Sequence, residues 1–137
     1  MRLTSLADYA VVMMAAAARH PDGARLSATL LAGETGVPLP TTQKLTGRLA
    51  AAGLLETARG TGGGFRLARK AREISLADII EAVEGPIVMT NCMDNQRHDC
   101  ALEGACQVRP HMGVVNGAIR GALAAVSLQS LAAEVRR

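Results

Sequence analysis

The three cysteines are the residues of this 137-residue chain that are best suited to bind a metal. They are Cys92, Cys100 and Cys106, separated by seven residues and then by five. Thiolates are soft ligands that suit zinc, copper(I) and iron–sulfur clusters. Structural zinc sites use closer cysteine pairs, whereas clusters tolerate wider spacings because their ligands bind different iron atoms. The spacing therefore favours an iron–sulfur cluster over zinc, with inert buried thiols as the remaining alternative.

A cluster with four irons needs a fourth protein ligand or leaves one iron open. We expect a 4Fe–4S cluster, with 2Fe–2S as the alternative. An oxygen ligand or an open iron makes a cluster labile, which suits a sensor better than an electron carrier. The residues alone do not choose among the candidates for the fourth ligand, which are Asp8, His98, Asp99, Glu103 and His111.

A second group of residues precedes the cysteines, where the charge is strongly segregated. Residues 41–72 carry seven basic residues and one acidic residue, whereas residues 73–106 carry seven acidic residues and one basic residue. The first segment therefore suits a polyanion. Only Tyr9 and Phe65 are aromatic, which argues against RNA or single-strand binding by base stacking.

The elements that must position these groups are mainly helical. Serine and threonine caps, apolar periodicity and glycine or proline stops predict them. The predicted helices run from Thr4 or Ser5 to Arg19, over Ala28–Gly33, from Thr41 or Thr42 to Gly53 and from Ser75 to Gly85, followed by a long helix from Pro110 and a short helix capped by Ser127. Ser27 caps the second of these helices, and Leu30 and Leu31 are its apolar anchors. Residues 54–58 and 64–68 predict a glycine-turn hairpin.

This order of elements is that of a winged helix-turn-helix, which places its second motif helix in the major groove of double-stranded DNA. Glutamine can read adenine, and lysine or arginine can read guanine. Threonine hydroxyls can hold phosphates, and glycines allow the backbone to approach DNA closely. The predicted DNA-binding residues are Thr41, Thr42, Gln43, Lys44, Thr46 and Arg48 on the helix, and Arg59, Gly62, Gly63, Gly64 and Arg66 at the wing.

The long helix after Pro110 carries an apolar stripe suited to a partner. Its members recur every three or four residues and are Val108, Met112, Val115, Ile119, Leu123 and Val126. We expect a homodimer, because the helix extends beyond a compact winged helix and the stripe is too apolar to face water. The predicted organisation is a DNA-binding domain at 1–85, a cysteine loop at 86–109 and a dimerisation region at 110–137.

Membrane, secretory and enzymatic roles are not favoured. The longest apolar run, Tyr9–Ala18, has ten residues and is too short to cross a bilayer. Asp8 lies where a signal peptide would be basic. We therefore expect a cytoplasmic protein, in which cysteines serve more often as metal ligands than as disulfides. The sequence shows no Ser/His/Asp or Cys/His pairing of the kind that would suggest an enzyme.

Together, these features resemble the IscR/NsrR/RirA family of bacterial iron–sulfur regulators over nearly the whole chain. The most specific segment is Ile74–Gly85, and residues 84–92 are most similar to proteobacterial regulators of the SUF cluster-assembly genes. The other matching motifs are residues 1–5 with Asp8-Tyr9-Ala10, Leu49-x-x-x-Gly53-Leu54-Leu55, and residues 59–68.

The resemblance implies roles for individual residues. Cys92, Cys100 and Cys106 match the three cluster cysteines of the family. The histidine that completes the site in IscR corresponds to Arg109 here, so that ligand set does not transfer. In NsrR, an aspartate of the partner's first helix is the fourth ligand, and Asp8 matches it in local sequence.

We therefore interpret the chain as a cluster-dependent repressor of SUF genes that binds palindromic DNA as a homodimer. The first alternative is a nitric-oxide or redox sensor of the same family. The alternative from another class is a zinc-stabilised or metal-free DNA-binding module.

Overall fold

The computed structural model describes residues 2–58, 63–88 and 107–133, which form a mainly helical domain with one antiparallel strand pair. The elements are α1 Ser5–Ala18, α2 Ala28–Thr35, α3 Leu39–Ala51, β1 Leu55–Ala58, β2 Gly64–Leu67, a 3₁₀ turn at Ala71–Glu73, α4 Leu76–Glu84, α5 Arg109–Ala124 and α6 Leu128–Ala132. This order confirms the predicted winged-helix architecture.

Serine side chains begin three of these helices as predicted. The hydroxyl oxygens of Ser27 and Ser127 each accept a hydrogen bond from a backbone N–H three residues later. Ser75 forms a reciprocal pair with Asp78, in which each side chain accepts from the other residue's backbone N–H, at 3.1 and 2.9 Å. These bonds satisfy amide donors that have no partner within their own helix.

Two predicted helix boundaries were wrong by a few residues. Helix α3 begins at Leu39 rather than at Thr41 or Thr42. Proline is tolerated in a first turn because its missing N–H would have no intrahelical partner there, so Pro40 does not stop the helix. Helix α2 continues past Gly33 and ends at Thr35, followed by Gly36, whose φ of 82° is left-handed.

The core surrounds α1, which contacts α2, α3, α4, α6 and β2. Its largest fully buried side chains are Met13, Met14, Leu31, Leu45, Leu49, Leu54, Ile74, Ile79 and Leu128. Leu31 anchors α2 as predicted, but Leu30 is 40% exposed. The prediction that both residues anchor α2 was therefore wrong for Leu30.

The wing is fixed to the body through the chain that precedes α2. Leu26 and Phe65 exchange two backbone hydrogen bonds of 2.7 and 2.9 Å. Gly64 has φ +113°, and a Cβ there would lie 2.3 Å from the Leu26 carbonyl oxygen. The contact with Leu26 therefore explains this glycine, which was expected to allow close approach to DNA.

The end of α5 is tied back to the start of α4. The Leu76 N–H donates to the Val126 carbonyl at 2.8 Å, and the Leu128 N–H donates to the Ile74 carbonyl at 2.7 Å. Leu128 is completely buried at this junction. These bonds fix the C-terminal end of α5 relative to α4.

Candidate DNA interface and metal ligands

Helix α3 turns Gln43 and Lys44 away from the core. Leu45 and Leu49 are fully buried on its inner side, whereas Gln43 and Lys44 are exposed. Gly47 is also exposed, and a Cβ there would meet nothing within 4 Å. The outer side of α3 therefore combines two residues that can read bases with a position where the backbone can come close to a groove.

The first turn of α3 leaves backbone donors available. Pro38 precedes the helix and provides no side-chain cap. Thr41 is half-buried in this turn. Helix N-terminal N–H groups bind phosphate well because they lack intrahelical partners and lie at the positive end of the helix dipole.

Two threonines of α3 do not have the predicted orientation. Thr42 is completely buried, and its hydroxyl donates to the Pro38 carbonyl at 3.1 Å. The Thr46 hydroxyl is half-buried and donates to the Thr42 carbonyl at 2.8 Å. Both side chains bond to the preceding turn of their own helix, as threonine commonly does. The prediction that Thr42 lies on the exposed side of α3 was therefore wrong, whereas Thr46 is half-buried.

Arg48 makes a contact within the domain that the sequence did not predict. Its Nη1 donates to the Val83 carbonyl oxygen in α4 at 3.0 Å. The residue as a whole is exposed, so one donor of its guanidinium is engaged with the domain, and its role towards DNA stays a prediction.

On the wing, Arg66 is the described residue best placed to meet a phosphate. It lies opposite Glu56 in the strand pair, and its Nε donates to the Glu56 carboxylate at 3.0 Å. Both side chains are more than half exposed, and exposed ion pairs contribute little free energy. Arg66 can therefore exchange Glu56 for a phosphate. Gly63 is half-buried beside the wing, whereas Arg59 and Gly62 lie outside the described residues.

Of the predicted cluster ligands and the candidates for the fourth position, only Asp8 and His111 lie within the described residues. Cys92, Cys100 and Cys106 lie outside them, as do His98, Asp99 and Glu103. Asp8 occupies the first turn of α1 and is exposed, and no ion pair joins its carboxylate to another described residue. His111, the competing candidate, is exposed in the first turn of α5. No three metal-binding side chains come together within the described ranges.

Helix α5 has two different sides. One lies along the domain: Arg120 donates to Glu81 at 2.7 Å, Asn116 donates to the Ile87 carbonyl at 3.1 Å, and Ile119 is half-buried. The hydrogen bond and the charge of Glu81 raise the pKa of Arg120. The other side exposes apolar and small residues, namely Val114 at 73%, Val115 at 42%, Gly117, Ala118, Gly121 and Ala122.

The predicted apolar stripe therefore divides between these two sides. Ile119 and Leu123 of the stripe are half-buried, while Val108 and Val115 are exposed. Val114 was missed because it falls outside the periodic stripe. The glycines at 113, 117 and 121 are the sequence signal that could have identified the outer side, since they recur every four residues on one strip of the helix.

No helix in the described part of the chain is long and apolar enough to cross a membrane. The sequence profile of the Rrf2 family, described as an iron-dependent transcriptional regulator, matches residues 3–134.

The transcriptional regulator IscR of Photorhabdus laumondii is 32% identical over 131 residues, covering 96% of this chain and 79% of IscR. The regulator NsrR of Shouchella clausii is 29% identical over 119 residues, covering 87% of this chain and 78% of NsrR. The crystal structure of oxidised CymR from Staphylococcus aureus aligns with a TM-score of 0.72 at 25% identity and covers all of both chains.

Proposed function

The chain belongs to the Rrf2 family of transcriptional regulators, and from this premise we propose that it is a homodimeric repressor of SUF cluster-assembly genes controlled by a bound iron–sulfur cluster. The family assignment makes the chain a DNA-binding regulator and not an enzyme. The repressor role, the cluster and the target genes are the content of the proposal.

The outer side of α3 is the observation that carries the DNA-binding part. Gln43 and Lys44 are exposed there without being needed by the core. In a winged helix this helix enters the major groove, and the wing lies beside it along the backbone. We assign base reading to Gln43 and Lys44, and phosphate contacts to Thr41, Arg66, Arg59 and the glycine turn with Gly62 and Gly63.

The outer side of α5 supports the homodimer. Val114 and Val115 are exposed apolar side chains, and Gly117 and Gly121 place no Cβ against their own domain. A second α5 packed there would remove the valines from water and let the two backbones approach closely. A two-fold dimer then requires a palindromic site with half-sites separated by about one helical turn or a multiple of it.

The donor set fits an iron–sulfur cluster. Three thiolates are provided by Cys92, Cys100 and Cys106, and we assign the fourth position to Asp8 of the partner subunit's α1. The exposed carboxylate of Asp8 supports this assignment, because no described residue of its own chain neutralises it. When bound, the cluster supplies redox and iron-dependent chemistry that the protein side chains lack.

The SUF assignment rests on residues 84–92, whose sequence resembles the SUF regulators of proteobacteria. The second candidate function is a nitric-oxide sensor, and the local match of Asp8 to NsrR favours it. The two functions share the fold and the ligands and differ in the signal that removes the cluster.

Purification without oxygen tests the proposal most simply. We expect a brown protein with visible absorption and matched iron and sulfide, which binds SUF promoter DNA as a dimer. A colourless protein that contains zinc would show that the cysteines hold a structural metal instead of a cluster. Cluster loss caused by nitric oxide but not by iron limitation would favour the second candidate.

Control variants locate the DNA surface. Gln43→Ala should reduce discrimination between operator and scrambled DNA, since it removes base reading. Arg66→Ala should weaken binding to both DNAs and reduce the salt slope by about one unit, as loss of one phosphate contact does. If the double variant Lys44→Ala/Arg66→Ala binds operator as the parent does, this surface is not the DNA interface.

A further inference from the structure

Arg48 lies at the edge of α3, between its outer side and the core. It follows the buried Leu45 by three residues and is therefore about 60° from it around the helix. Its Nη1 donates to the carbonyl of Val83, one of the last four residues of α4. Those carbonyls have no partner within their own helix and lie at the negative end of its dipole. The contact therefore gives the Val83 carbonyl of α4 a hydrogen-bond donor and fixes α3 to α4.

The fold uses the same device a second time. Arg19, directly after α1, donates from Nε to the carbonyl of Ala132, the last residue of α6, at 3.2 Å. In both places an arginine from one helix closes the end of another. This repetition supports a structural role for Arg48 that does not require direct contact with DNA.

The last turn of α4 is also the place where several elements meet. The Thr4 hydroxyl, which caps α1, donates to the Glu84 carboxylate. The Glu81 carboxylate accepts from Arg120 of α5 at 2.7 Å and from the Ile87 N–H at 3.1 Å. Side chains or backbone groups of α1, α3, α5 and the segment after α4 are thus all bonded to this one turn.

We propose that Arg48 is a positioning residue for DNA recognition, which ties α3 to the last turn of α4 so that the position of this turn sets operator affinity. This inference rests on the proposed function, since it assumes that α3 meets DNA. It assigns a regulatory role to the contact between Arg48 and Val83, which are 35 residues apart in sequence. The chain leaves the same turn towards the cysteines, so a change there would reach α3 through Arg48.

A matched pair of variants tests the positioning role. Lys44→Met and Arg48→Met each remove one positive charge from α3, four residues apart. Lys44→Met should weaken operator binding and reduce discrimination against scrambled DNA, because Lys44 is assigned to base reading. Arg48→Met should weaken operator binding about five- to tenfold, as expected for one lost hydrogen bond. Its salt slope and its affinity for scrambled DNA should stay at the parent values, because no phosphate contact is lost.

The neutral variant Arg48→Gln covers the case in which Arg48→Met fails to fold. Its amide can still donate to the Val83 carbonyl, so it should retain the parental salt slope and most of the operator affinity. If Arg48→Met or Arg48→Gln reduces the salt slope by about one unit, Arg48 contacts phosphate and the inference is wrong. If neither Lys44→Met nor Arg48→Met changes operator binding, the proposed DNA surface is wrong.

A double-variant cycle tests the link from the other side of the turn. Gly85 ends α4 with φ +86° and ψ −171°, a conformation essentially restricted to glycine. Gly85→Ala should therefore shift the turn and weaken operator binding. In Arg48→Met the same change should have little further effect, because the link is already broken. Fully additive losses in the double variant would overturn the proposal.

Discussion

Helices α1 and α5 are similar in length but opposite in burial. Seven of the fourteen residues of α1 are buried, whereas none of the sixteen residues of α5 is buried. Ten of the fourteen residues of α1 are alanine, methionine or valine, and the helix contacts four other helices. Within the described residues, the chain therefore packs around α1 but buries no residue of α5.

Apart from the backbone bonds that fix its C-terminal end, few described side-chain bonds hold α5 to the domain. Arg120 pairs with Glu81 at the surface, and Asn116 reaches the Ile87 carbonyl. Exposed pairs of this kind contribute little to stability. In the homodimer proposed above, a second copy of the chain would supply α5 with a packed surface.

Removing a core side chain from α1 should have the largest effect on stability. Met14 is completely buried, so Met14→Ala should lower the free energy of unfolding by about 2–5 kcal/mol through lost burial and a cavity. Denaturant titration measures this change. The control Val12→Ala lies on the same helix at a 40% exposed position and should cost less than about 1 kcal/mol. Equal losses would contradict the asymmetric burial of α1.

A charge on the outer side of α5 should separate the subunits. Val114→Arg should give a folded monomer in sedimentation, because burying an unpaired charge in the dimer is costly. Operator affinity should fall by about a hundredfold or more, since one half-site no longer assists the other. Val114→Ala is the control and should remain dimeric. A stable Val114→Arg dimer would place the interface elsewhere.

A variant of Ile119 compares the predicted apolar stripe with the outer side of α5 as the dimer interface. It lies about 140° around the helix from Val114 and is half-buried on the side that faces the domain. Ile119→Arg should therefore lower the stability of the subunit itself, in addition to any effect on the dimer. If only Ile119→Arg produces monomers, the predicted stripe forms the interface and the outer side does not.

The sequence predicted those parts of the fold that depend on local chemistry. Ser27, Ser75 and Ser127 begin helices because each caps the turn that follows it. The strand pair was predicted from a glycine turn between two short segments, residues 54–58 and 64–68. Such signals act over a few residues and need no knowledge of the tertiary structure.

The errors concern side chains whose partners are distant or whose direction depends on packing. Thr42 and Lys44 are both polar residues of α3, yet one is buried and the other exposed. Arg48 meets Val83, and this contact has no signature in the sequence. A polar pattern predicts an exposed face, but it does not show which members of the face another helix will occupy.

The proposed ligand Asp8 gives a prediction of intermediate size. Asp8→Ala should leave cysteine ligation intact and make cluster loss to oxygen and chelators faster by about tenfold or more, since even outer groups of metal sites contribute that much. It should also weaken the dependence of DNA affinity on the cluster. His111→Ala is the matched comparison in anaerobic reconstitution. Faster decay in His111→Ala alone would transfer the ligand role to His111.

The smallest expected effect is at Gly47 and has opposite signs for stability and binding. Gly47→Ala should stabilise the protein by up to about 1 kcal/mol, because alanine favours a helix and the space is open. Operator affinity should nevertheless fall several-fold if the α3 backbone approaches the groove. Thermal unfolding and DNA titration on the same sample measure both. Unchanged affinity would show that this side of α3 does not approach DNA closely.

Cluster control of DNA binding is the central claim, and one measurement tests it most directly. Operator affinity is titrated without oxygen on one preparation, before and after a chelator removes the cluster, at fixed salt and with Cys100→Ala as the permanently cluster-free control. The account predicts an affinity change of about tenfold or more, a typical allosteric coupling, with the stripped protein matching Cys100→Ala. Equal affinities in all three samples, with the parent demonstrably loaded, would contradict it.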